Sequence, residues 1–218
     1  MTLKEFVAAW PLLKKQVKGL ELPWLEDFAS IHQDPFKILI SCILSLRTQD
    51  RTTGKASERL FSLASTPEAL AKLPVKTIER AIYPVGFYRV KAGRIKEMSR
   101  VIAKEYRSKV PDTIEGLLRL NGVGRKTANL VITLGYNKDG ICVDTHVHRI
   151  TNRWGLVHTK NPAETEFSLR KLLPVRFWKE LNGTLVMFGQ GICKPLSPLC
   201  SSCTIQRFCS RLEVKKSR

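Results

Sequence analysis

Long apolar runs are missing from this chain. The longest, around Phe36 to Leu46, is interrupted by Lys37 and Ser41. A membrane-spanning helix needs ~18 or more apolar residues in a row, so no transmembrane helix is expected, and no membrane is counted among the expected partners. The start, MTLKEFVAAWPLLKKQ, is not laid out as a secretion signal, because Lys4, Glu5 and Lys14 break up its apolar part; a cytoplasmic protein is expected. Internal repeats, low-complexity tracts and the alternation of half-buried strands are also lacking. Short helical patterns punctuated by Gly and Pro remain, and the chain reads as all-α. Acidic residues are scarce: 19 Asp plus Glu stand against 37 Lys plus Arg, a net charge of +18. That excess makes nucleic acid the leading partner, with an anionic membrane surface as the other polyanion that attracts such charge. At 218 residues and 43% hydrophobic, the chain is long enough for one large or two small domains with a real core.

Cysteine is rare outside one place. Of six cysteines, Cys193, Cys200, Cys203 and Cys209 fall within seventeen residues, spaced C-x6-C-x2-C-x5-C. Cys42 and Cys142 stand alone in apolar segments and are expected to be buried. Without a secretion signal, metal binding is favoured over disulfides for the cluster. Four thiolates close either a tetrahedral zinc site or a [4Fe–4S] cube. Structural zinc more often uses two C-x2-C knuckles, and here there is one.

In chain order, residues 1 to about 27 read as one amphipathic helix and a turn, with Leu-Pro-Trp closing it. The run DPFKILISCILSLRTQD opens with an Asp N-cap and a proline at the first helical position. It is apolar on every side and so belongs inside a core. RTTGKASERLFSLA, TPEALAKLP and VKTIERAIYPV follow as helices. From Arg89 to Arg107 a basic helix carries Lys91, Arg94, Lys96, Arg100, Lys104 and Arg107 on more than one face, mostly as solvated surface. The tail LEVKKSR is expected to fray.

Residues 120 to 150, LNGVGRKTANLVITLGYNKDGICVDTHVHRI, hold the most specific pattern. Gly122 and Gly124 flank Val123 in a tight turn that glycine makes without strain. A helix follows from about Arg125 to Leu134, and its N-terminus is a ready site for a phosphate. Lys126 sits in the first turn, the end at which the helix dipole disfavours a cation. Its two roles to weigh are a phosphate contact and a nucleophile. Asp144 reads as the N-cap of the next helix, VDTHVHRITNRWG. Ten helical residues span about 15 Å, and the connection from Gly135 to Val143 stretches to roughly 30 Å. The chain is therefore able to bring Asp144 back to the Lys126 end.

LNGVGRKTANL followed by VDTH, with Lys126 and Asp144 eighteen residues apart, resembles the helix-hairpin-helix DNA glycosylase/AP lyase family of the endonuclease III kind. The resemblance covers nearly the whole chain. It implies a two-domain all-α fold, with a six-helix barrel over 28–138 and a second domain from 1–27 plus 139–218, and the active site in the cleft between them. It implies Lys126 as the nucleophile on the sugar C1′ and Asp144 as its essential carboxylate partner. It also implies that Cys193, Cys200, Cys203 and Cys209 hold a structural [4Fe–4S] cluster, with Lys194 near the DNA backbone. Gly122, Val123, Gly124 and Arg125 would anchor DNA through the hairpin.

Ser45-Leu46-Arg47-Thr48-Gln49-Asp50 matches the family stretch that fills the gap left by a flipped base. Arg47 stands where most bacterial relatives have Gln. Phe87, in Gly86-Phe87-Tyr88, matches a wedge into the base stack. His146 and His148 are weighed as a base for elimination against a solvated helix surface, with His146 also a possible DNA contact. The activity implied is base excision of oxidised or ring-saturated pyrimidines from double-stranded DNA, with cleavage at the abasic site, by a monomer acting on the nucleoid. Two alternatives are kept. A monofunctional mismatch glycosylase would carry Tyr or Ser in place of Lys126, and adenine-specific relatives carry Glu where this chain has Cys42. A non-catalytic DNA-binding module would need neither Lys126 nor Asp144.

Overall fold

A computed structural model describes all 218 residues, Met1–Arg218. The chain is helical without strands and divides into two compact units. One comprises Trp24–Lys138; the other joins Met1–Pro23 to Asp139–Arg218.

In the first unit, α2 (Trp24–His32), α3 (Pro35–Ser45), α4 (Asp50–Leu63), α5 (Pro67–Lys72), α6 (Val75–Ile82), α7 (Tyr88–Glu105), α8 (Ile114–Leu118) and α9 (Arg125–Leu130) follow one another. They succeed α1 (Leu3–Val17) of the other unit. The opening segment differs from expectation. Leu-Pro-Trp does not close the first helix; Trp24 opens α2, and its N–H donates to Asp50 Oδ2 at 3.2 Å. The Asp50 carboxylate thus serves one of the orphan donors at the start of α2.

Helix α3 is the centre of this unit. Asp34 caps it, accepting from the N–H groups of Phe36 and Lys37, and Pro35 takes the first turn. Ile38, Leu39, Ile40 and Leu44 are all fully buried, and α2, α4, α7 and α9 pack around the helix. Its apolar perimeter is explained by neighbours on every side. Ile40→Ala removes three carbon atoms where no solvent reaches, and should lower stability by about 2–5 kcal/mol. Chemical denaturation followed by circular dichroism measures it.

The helix expected after the hairpin is present, but it is not uniform. After Leu130 it widens into a π-helical turn, Val131–Gly135. Such turns recur near functional sites because they reset which side chains share a face. Here Gly135 lets the turn approach α3 closely, since a Cβ there would lie 3.0 Å from the Cα of Pro35.

The second unit is built from α1, α10 (Thr145–Arg153), α11 (Pro162–Leu172) and α12 (Trp178–Gly191). The helix α1 runs through Pro11 and is closed at its start by a Thr2–Glu5 capping box. Phe6, Leu13, Val147, Ile150, Trp154, Leu181 and Phe188 form its core. The tail is not frayed. Leu212 N–H donates to Arg153 O, and Arg218 bonds backbone to backbone with Pro198 and Ser201.

Candidate active site and nucleic-acid interface

The hairpin lies between α8 and α9. Thr113 caps α8, and Leu117 and Leu120 are buried beneath it. Gly122 has φ +88, a conformation that side chains rarely adopt. Gly124 is different: its φ is −98, and an added Cβ would meet nothing within 4 Å. Its value lies in open access to the backbone, not in conformation. Val123 is buried, and its N–H donates to Leu120 O at 3.0 Å. It supports the turn from below. Arg125 and Lys126 follow, both half-buried, in the first turn of a helix that has no side-chain cap.

Lys126 is close to α3. Burial pushes the Cys42 thiol up to about 12, while the Lys126 amine pulls it the other way. The thiol is therefore neutral near pH 7 and sits beside the amine without competing for its chemistry.

Asp144 occupies the N-cap of α10. Its Oδ1 accepts from His146 N–H and Val147 N–H, both at 2.9 Å. Lys126 belongs to the unit 24–138 and Asp144 to the other. Neither histidine of α10 is simply solvated. His148 Nδ1 lies 2.7 Å from Thr165 Oγ1, and Asn152 and Thr159 complete the network. His146 is half-buried beside Gly189, where a Cβ would lie 2.2 Å from His146 Nδ1. The expected solvated surface gives way here because α10 packs on both α11 and α12.

The four clustered cysteines line one cavity together with Arg153, Trp154 and Phe188. Burial raises the thiols of Cys193 and Cys209, and pushes Cys203 up to about 11. Two N–H groups already point at sulfur: Arg153 Nη1 at 3.2 Å from Cys193 Sγ, and Arg211 N at 3.3 Å from Cys209 Sγ. Arg149 Nη2 donates to Cys193 O at 2.9 Å. Lys194, half-exposed, follows Cys193 and accepts from Arg153 through its carbonyl. Cys42 and Cys142 are buried.

Arg47 and Phe87 are brought together. Both have positive φ, 53 and 58, which is uncommon outside glycine and clusters at functional positions. The Arg47 guanidinium lies over the Phe87 ring at 5.7 Å, and Phe87 is 63% exposed. A large ring held out in solvent beside a cation is a poor core residue and a good stacking surface.

Lys91 was missed by the expectation of a solvated basic helix: it is buried. A signal was present. Lys91 falls in line with Ile95, Met98 and Ile102 on the apolar stripe of α7, where a solvated lysine has no place.

Comparison with known proteins bears on the family and the fold. The profile of the HhH-GPD superfamily base excision DNA repair protein matches residues 40–175. Endonuclease III of Thermotoga maritima is 51% identical over 176 residues, 81% of this chain and 83% of that protein. The structure of a trapped endonuclease III–DNA covalent intermediate, an estranged-adenine complex, superposes with a TM-score of 0.86 at 30% identity, covering 97% of both chains. A thermostable thymine-DNA glycosylase follows at TM-score 0.82 and 26% identity, covering 95% of this chain and 96% of that one. The all-helical fold, the hairpin and the relatives agree: the chain belongs to the HhH-GPD superfamily of base excision DNA repair proteins, in its endonuclease III branch.

Proposed function

We propose that this protein is a bifunctional DNA glycosylase and abasic-site lyase, taking oxidised or ring-saturated pyrimidines from double-stranded DNA. The observation that carries this assignment is Lys126 itself, an amine in the first turn of the hairpin helix where relatives that only release bases have Tyr or Ser. The lesion nucleotide leaves the stack, with the gap occupied by Arg47 and Phe87. Lys126 Nζ bonds to C1′ as the glycosidic bond breaks, and the base departs with the bonding electrons. Asp144 offsets the positive charge that grows on the sugar. Nζ then gives up a proton, the departed base takes one up, and the C1′–O4′ bond opens to leave an iminium; this acidifies the C2′ proton, whose loss expels the 3′ phosphate and cuts the strand. The backbone of Gly122 and Gly124 and the Arg125 side chain hold phosphate, and a charge of +18 makes that binding strongly salt-dependent. His146 and Lys194 are assigned further contacts with the duplex. The protein acts as a monomer on cytoplasmic DNA.

The division into a barrel and a cluster domain, inferred from the family, fits this assignment, with the two compact units in those roles. For the cofactor we infer a [4Fe–4S] cluster on Cys193, Cys200, Cys203 and Cys209. Their C-x6-C-x2-C-x5-C spacing matches the cluster loop of the endonuclease III family, and it has one C-x2-C knuckle where structural zinc more often uses two. All four cysteines line one cavity, which is where such a group would sit. The Arg153 and Arg211 N–H groups stabilise thiolate charge there, as outer partners of ligands do. When bound, the cluster would cross-link residues 193 to 209 through these four side chains. The purified protein should be brown, with broad visible absorbance and bound iron. Cys203→Ser should lose both and melt at lower temperature; a colourless protein with one zinc per chain overturns the assignment.

The decisive test of function is an abasic-site duplex incubated with protein and borohydride. A covalent complex and a strand break are the expected results; binding without either reduces the protein to a DNA-binding module.

A further inference from the structure

The structure assigns Lys91 a positioning role: its buried ammonium ties the Arg47 loop to the Phe87 loop, so that both side chains enter DNA as one rigid piece. The inference rests on the proposed insertion of Arg47 and Phe87 into the gap left by an extruded base.

Lys91 is 5% exposed. Its Nζ donates to Leu44 O at 2.8 Å, Leu46 O at 2.6 Å and Thr48 Oγ1 at 3.3 Å. An ammonium has three donors, and three neutral acceptors take them. Two of those are carbonyls at the C-terminal end of α3, which have no intrahelical partner and lie at the negative end of the dipole. Lys91 thus caps α3 from a different helix. Burial without a carboxylate brings its pKa down to about 8. A lysine kept at that cost is held for its geometry.

The third acceptor extends the link. Thr48 Oγ1 also accepts from Gly86 N–H at 3.2 Å. Gly86 lies against the Arg47 backbone so closely that a Cβ would sit 2.6 Å from Arg47 O. The next residue is Phe87. Two residues of positive φ, Arg47 and Phe87, are therefore fixed by one set of bonds. Backbone strain of this kind persists only where the surroundings over-determine it, and the Lys91–Thr48–Gly86 chain does so. An inserted pair that is already in place needs no ordering when it meets DNA.

The test uses the full-length protein with three kinds of substitution. Lys91→Met removes every donor at similar volume. Thr48→Val removes the Oγ1 bonds to Gly86, Lys91 and Leu46 and leaves Lys91 bonded to the Leu44 and Leu46 carbonyls of α3. Arg47→Ala and Phe87→Ala report whether the loops matter at all. Two substrates separate positioning from chemistry: a lesion-bearing duplex, and a single-stranded oligonucleotide with a preformed abasic site, which has no stack to fill. Lys91→Met and Thr48→Val should slow base release from the duplex by about 100-fold, the scale of a small misplacement at a working site. Cleavage of the single strand should stay at the wild-type rate. A 2-aminopurine beside the lesion should show the gap unfilled. Should Lys91→Met fail to fold, Thr48→Val carries the test alone. Normal duplex activity in Lys91→Met and Thr48→Val, with Arg47→Ala and Phe87→Ala impaired, overturns the link while the insertion stands. Normal duplex activity in all four removes the insertion, and the link with it. Equal losses on both substrates make Lys91 a general structural residue and overturn the positioning role.

Discussion

Lys126→Ala should abolish borohydride trapping and reduce base release on the order of 10^4-fold or more, the scale set by deleting a nucleophile elsewhere. The fold should tolerate it. Lys126 is half-buried in the first turn of α9, and alanine is the best helix former. Duplex binding should change little, because one phosphate-range charge among a net +18 is a small part of the electrostatic attraction. The buried thiol beside it does not replace the amine. The Cys42 thiol feels the Lys126 charge, but with its pKa pushed up to about 12 roughly one part in 10^4 is thiolate at pH 8. Lys126→Arg should be as inactive as alanine despite keeping the charge, since a guanidinium does not deprotonate to attack carbon. Single-turnover base release and trapping, measured together on the same duplex, check all of this. A trapped complex in Lys126→Ala would show that a different amine does the chemistry.

Much of the architecture was legible because local signals and packing agree. Asp34 and Pro35 mark the start of α3, its apolar perimeter marks burial, and both are observed. Asp144 was readable as an N-cap from its place before an amphipathic run, and it accepts both capping bonds. What the sequence could not convey depends on who packs against whom. Lys91 looks like its basic neighbours until the end of α3 is seen to arrive beside it. His148 looks solvated until α11 brings Thr165 within 2.7 Å. Gly124 looks like Gly122, yet only Gly122 has positive φ. A π-helical turn has no sequence signature of its own, and Val131–Gly135 read as plain helix.

Two of those misses share a cause that bears on function. Lys91 and His148 each lie near a helix start held by a partner distant in sequence, and such places are where a rigid scaffold presents working groups. Arg47 and Phe87 show it best. Forty residues apart, they are singly unremarkable as a cation and an exposed ring; together, at 5.7 Å and both with strained backbone, they form one surface.

Asp144→Asn is expected to keep the fold and lose the chemistry. Asparagine caps a helix about as well as aspartate, whereas alanine costs about 1 kcal/mol. The Oδ1 bonds to His146 and Val147 N–H survive in Asn and vanish in Ala. Stability should therefore fall in Asp144→Ala and stay within a few tenths of a kcal/mol in Asp144→Asn. Base release should behave otherwise. The role proposed for Asp144 needs a negative charge against a cationic sugar, and both variants lack it. Each should be slower on the order of 10^2- to 10^3-fold, the scale of losing one preorganised stabilising group. Affinity for a duplex with a non-cleavable abasic analogue should be kept in Asp144→Asn. Melting curves beside single-turnover rates separate the two functions of one side chain. If Asp144→Asn instead reacts at the wild-type rate while Asp144→Ala is impaired, the residue works by holding α10 in place, and the charge opposite the sugar has to come from elsewhere.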